Sequence, residues 1–254
     1  MSLLDLPTMT LAVIAVAFLL GSTVKGALGA GIPAVGMPIM VMVIEPALAA
    51  SLFVVPVMIS NFWQIWQAGQ YGEALRRFWP FLITLVIGVW MGAGLLTTVD
   101  PDLLALTLGI VVMGTTLGQM FVREIRGLRG RAGYVHPVGG FLLGLCGGAT
   151  GMFAPTIVYF AALRLDKDLF VTQLALVAMS GSLSLYARLI VEGRLHFPQL
   201  QLSCYALIPT AIGITVGFWA RKRMSELVFR RAVWTALLAL GAALIWRGLA
   251  GDLG

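Results

Sequence analysis

The stretch KGALGAGIPAVGMP, Lys25 to Pro38, decides how this chain must fold. It interrupts an apolar run with one charge, four glycines (Gly26, Gly29, Gly31, Gly36) and two prolines, Pro33 and Pro38. Glycine supplies unusual dihedrals and close backbone approach, and proline opposes one continuous helix. Hydrocarbon offers no water to a broken backbone, so such a segment survives at membrane depth only when protein or a polar cavity surrounds it. A second stretch of this kind, GLCGGATGMFAP, runs from Gly144 to Pro155. Paired breaks in the two halves of a membrane chain point to a solute site where they meet.

The surrounding composition requires a membrane. Of 254 residues, 59% are hydrophobic and 11% charged, with a mean hydropathy of +0.96; a soluble domain carries roughly 25% charged residues. Apolar segments too long for barrel strands recur between short polar gaps, the pattern of transmembrane helices. Met1–Pro7 has no basic start and carries Asp5, so no cleavable leader is expected. The net charge of +6 reports loop orientation and gives no reason to expect nucleic-acid binding. Cys146 and Cys204 lie in apolar segments, and His136 and His196 do not cluster, so neither a disulfide nor a metal site is expected. No Ser–His–Asp set, intramembrane carboxylate pair or nucleotide loop is present; the expectation is a protein that is not an enzyme and needs no cofactor.

Apolar segments fall near 8–25, 33–44, 47–68, 79–98, 103–122, 137–147, 153–163, 169–191, 204–220 and 227–246. Those at 33–44 and 153–163 are too short to cross a bilayer alone and are expected to be half-helices. The order repeats. Gly88-x-x-x-Gly92 recurs as Gly213-x-x-x-Gly217, each after a Leu-Ile pair, 125 positions apart; Gly69 and Gly193 match at 124, and Pro38 and Pro155 at 117. This predicts a duplication: residues 1–125 and 133–254, joined by a basic cytoplasmic linker at 126–132. Loops 72–79, 123–131 and 221–231 carry +1, +3 and +4, whereas 98–102, the repeat mate of 221–231, holds only Asp100 and Asp102. Opposite charge bias in equivalent loops predicts inverted halves. The expected fold is an all-α integral membrane protein of two inverted repeats, each a broken helical hairpin plus three transmembrane helices, about 8–10 membrane segments in all.

Intramembrane polar residues are then the informative ones. Lys25 either snorkels to an interface or sets a cation beside exposed amides, which together attract an anion. Arg188 carries the same pair of readings; its repeat mate is Gln64, which shares a helix face with Asn61. Asn61 and Gln64 either face a site or join helices. Thr150 either donates to a ligand or bonds back to its own broken backbone. Gly29, Gly31 and Gly148 supply backbone donors, while Ser180, Ser182 and Ser184 read as packing residues.

On VKGALGAGIPAVGMP (Val24–Pro38), FLLGLCGGATGMFAP (Phe141–Pro155), LDKDLFVTQLAL (Leu165–Leu176) and ARLIVEGRL, the chain resembles the TauE/SafE sulfite-exporter family, the TSUP permeases, over essentially its whole length. It departs from the family at Pro33, Ala30 and Ala149. The resemblance implies a multi-pass carrier of the bacterial inner membrane that moves small sulfur-containing anions, such as sulfite or organosulfonates, outward. The expected partners are the small anionic substrate, the lipid bilayer and further copies of the chain. Two rivals stand beside it: a small-anion channel, and a carrier of a non-sulfur organic anion.

Overall fold

The computed structural model describes residues 7–29, 31–121, 132–223 and 225–251. Among these there are twelve helices and no strand: α1 (Thr8–Leu28), α2 (Ile32–Met40), α3 (Pro46–Leu52), α4 (Val54–Ala68), α5 (Tyr71–Thr98), α6 (Pro101–Phe121), α7 (Ala132–Thr150), α8 (Ala154–Ala162), α9 (Lys167–Val191), α10 (Phe197–Tyr205), α11 (Leu207–Arg223) and α12 (Glu226–Gly251). Six stretches are long and apolar enough to cross a membrane, with α10 and α11 jointly forming one. The pair α3–α4, bent by 43°, makes a seventh, and α7 is a shorter apolar helix over Val135–Thr150. The linker expected at 126–132 lies, through residue 131, outside the described residues.

Both glycine-rich stretches break their helices. In the first, Gly29 adopts φ 86° and its N–H caps Lys25 O at 2.7 Å, and Gly31 follows at φ 142°; only glycine takes such dihedrals without strain. In the second, Gly151 takes the left-handed dihedral, at φ 68°. Each break is followed by a nine-residue helix with proline in its first turn, Pro33 in α2 and Pro155 in α8, where the missing N–H costs nothing. These starts lie 122 positions apart, as do Gly29 and Gly151, so Pro155 matches Pro33 and the expected match to Pro38 is replaced. Pro38 sits inside α2, and Gly148, expected in the second break, lies within α7.

Two further segments are more helical than their sequence suggests. Residues 72–79, read as a loop, fall in the first turns of α5, with a kink at Phe78 (φ −119°, ψ 15°). Pro80 accounts for it, since its ring removes a helical bond and crowds the carbonyl four residues earlier. Residues 197–205 form α10, opened by Pro198.

Glycine sets the packing. A Cβ on Gly92 of α5 would stand 2.1 Å from Leu145 O of α7, and one on Gly148 of α7 would stand 2.3 Å from Val89 O. The pair α11–α1 uses the same device: Gly217 against Thr23 O at 2.2 Å and Gly26 against Ile214 O at 2.4 Å. Backbones approach this closely only through small residues. Helix α9 packs between α4 and α5, and α6 lies along α12. Phe18, Phe53, Phe78, Phe81 and Phe160 are fully buried, while Phe62, Trp66 and Trp246 stand exposed on a surface suited to lipid.

Candidate solute-binding site

The site grows from the first break. Lys25 lies in the last turn of α1, 9% exposed, and its Nζ donates to Oδ1 of Asn61 on α4. One helical turn further, Gln64 Nε2 donates to Gly29 O at 2.6 Å. Asn61 and Gln64 thus share a face, as their spacing requires, and that face clamps α4 onto the broken end of α1. No carboxylate is ion-paired with Lys25 among the described residues.

Lys25, Gly29, Gly31, Asn61 and Gln64 line one cavity of about 50 Å³. The first turns of both half-helices reach it: Pro33 and Ala34 of α2, and Ala154, Thr156 and Ile157 of α8. Helix N-termini carry positive partial charge and unsatisfied N–H groups. Two of them therefore meet one ammonium group here, and no acidic side chain is among the lining residues. The one charged side chain among the lining residues, Lys25, has the sign that attracts an anion.

A larger recess of about 950 Å³ lies on the other side of these residues, between α4 and α11. Trp63 of α4 and Phe218 of α11 stand on its walls, and Lys167 and Asp168 lie at the start of α9. Lys25, Gly29 and Gln64 line both spaces and so form the partition between them.

The other residues singled out in the sequence lie elsewhere. Gly148 abuts α5. Thr150 Oγ1 bonds back to Cys146 O, 2.7 Å away in its own helix. Arg188 Nε donates to Glu192 Oε1 at 2.5 Å, and its guanidinium stands 5.5 Å from the Trp90 ring centre. Thr97 of α5 also donates to Glu192, at 2.6 Å. Burial pushes the Glu192 carboxyl up, but the Thr97 and Arg188 hydrogen bonds and the Arg188 and Arg194 charges outweigh it and hold the group below its ordinary range. Arg194 continues the network to Glu45 at 3.2 Å. Sequence reasoning missed Thr156 and Ser182 in the cavity lining, because hydroxyls in apolar helices usually bond to their own backbone, as Thr156 does with Phe153 O.

Searches of curated proteins and of solved structures return no significant match. A family model described as Sulfite exporter TauE/SafE matches residues 13–244, nearly the whole chain. The chain belongs to the sulfite exporter TauE/SafE family of multi-pass membrane transport proteins.

Proposed function

We propose that this chain is a secondary carrier that exports small anions, sulfite and organosulfonates foremost, across the bacterial inner membrane, and that the cavity at Lys25 is its binding site. One observation carries this: Lys25 and the N-terminal turns of α2 and α8 meet in a single cavity with no acidic lining residue. An ammonium taken out of water is costly unless opposite charge compensates it. Asn61 supplies only a neutral oxygen; a bound anion would supply the rest. At roughly 10–15 Å³ per water-sized occupant, the cavity holds a few waters or one oxyanion of sulfite size. Lys25 provides charge, Asn61 and Gln64 orient it, and the backbone around Gly29 and Gly31 provides close approach.

Inverted repeats spanning 1–125 and 133–254 fit the reciprocal packing of α1 on α11 and α7 on α5. Two half-helices meeting at a site between such repeats suit alternating access by rocking of one half against the other. The test is counterflow in proteoliposomes loaded with unlabelled sulfite. A carrier accumulates labelled sulfite transiently, saturates, and loses both properties in Lys25→Met. Conduction without counterflow would establish a channel, and unchanged uptake in Lys25→Met would remove the cavity from the pathway.

A further inference from the structure

We infer that the open recess between α4 and α11 and the closed contact between α9 and α5 are the same gate in its two positions, and that closing the recess joins Ser60 to the backbone of Ala211. This rests on the inverted-repeat carrier reading above. The correspondence is fixed by backbone geometry. Gly69 (φ 73°) and Gly193 (φ 64°), 124 positions apart, mark the ends of α4 and α9 with the same left-handed turn. Gly88 and Gly213, 125 apart, each sit against a partner helix with no room for a Cβ, which aligns α5 with α11. On these offsets Ser184 corresponds to Ser60 and Val86 to Ala211.

At the packed interface, Ser184 Oγ donates to Val86 O of α5 at 2.9 Å. Thr97, Glu192 and Arg188 tie the same two helices together further along. At the mate of this interface, Ser60 and Ala211 both line the recess, and the Ser60 hydroxyl makes a 3.3 Å bond to Val57 O of its own helix. Serine thus stands at both places, once bonded across the helix pair and once bonded back to its own helix beside the recess. Below the gap lie Lys25 and Gln64, the partition to the central cavity; Ser182, two residues from Ser184, lines that cavity from the closed side. Equivalent elements that have two discrete packings are what a rocking carrier exchanges between its two faces.

The experiment is cross-linking in liposomes. In a background carrying Cys146→Ala and Cys204→Ser, Ser60→Cys and Ala211→Cys are introduced together and treated with mercuric ion. The bridge should form, and adding Ser184→Ala should raise its rate about fivefold, the factor that one net hydrogen bond represents. A bridge that never forms in either background, or that is indifferent to Ser184→Ala, overturns the gate. Should this pair fold poorly, Ile59→Cys with Ile214→Cys, on the same two walls, carries the same expectation. The readout needs no solute. An intact cross-linking response with no anion binding sinks the substrate reading alone, and the converse sinks the gate alone.

Discussion

Replacing Asn61 with leucine tests whether the amide holds the buried ammonium in place. Asn61 is 3% exposed and Lys25 9% exposed, so beyond the few waters the cavity can hold there is little to replace the lost acceptor. A hydrogen bond to a charged group contributes about 1.5–3 kcal/mol, and an orphaned buried group costs its desolvation as well. Asn61→Leu should therefore lower unfolding free energy by about 2–3 kcal/mol. Lys25→Met should cost less, about 1 kcal/mol, because it orphans a neutral oxygen while removing a buried charge. The double variant should recover to near the wild type, giving a coupling energy of about 3–4 kcal/mol in the cycle. Reversible unfolding in detergent, followed by circular dichroism without added anion, supplies all four values. Additive single effects, or an Asn61→Leu cost below about 0.5 kcal/mol, would refute the pairing and leave Lys25 free to orient elsewhere.

Three further outcomes follow from the packing and the charges. Gly92→Ala and Gly217→Ala should each destabilise by about 1–3 kcal/mol or more, since a Cβ would meet Leu145 O at 2.1 Å or Thr23 O at 2.2 Å; Gly72→Ala, with open space around it, should not, and thermal unfolding separates them. Arg188→Gln should leave anion affinity within about twofold, because Glu192 and Trp90 already engage Arg188 away from the cavity, while loosening α9 from α5. A titration by melting temperature checks Glu192: its folded pKa lies below the unfolded one, so its contribution is full above the ordinary carboxylate range and fades as pH falls through the lowered value. Glu192→Gln should flatten that acid limb, and an unchanged limb would assign it to other carboxylates.

The architecture was legible wherever chemistry contradicted its surroundings. A lysine and four glycines inside an apolar run announced the break at Lys25–Gly31, and two amides on one stripe announced the face that meets it. What stayed hidden was what local sequence cannot distinguish. Proline marks a helix start and a helix interior alike, so Pro38 stood in for Pro33 until the helix bounds were known. A glycine that admits a neighbouring backbone looks the same as one that breaks a helix, which concealed the packing role of Gly148. Arg188 looked unpaired because its partner Glu192 falls just beyond the apolar segment, one turn further along. The first turns of α5 were invisible because Glu73, Arg76 and Arg77 place them outside the hydrocarbon pattern.

The central claim is that the Lys25 cavity binds a small sulfur anion, and thermal stability of the purified protein tests it most directly. A ligand that binds only the folded state raises the melting temperature by mass action, adding about 2.7 kcal/mol of stability at a hundredfold excess over its Kd. The panel is sulfite, thiosulfate, sulfate, taurine, sulfoacetate, a carboxylate and chloride. Selective stabilisation by a sulfur oxyanion or sulfonate, abolished in Lys25→Met and retained in Arg188→Gln, is the predicted result. Stabilisation that persists in Lys25→Met, or that is equal for every anion, would contradict it.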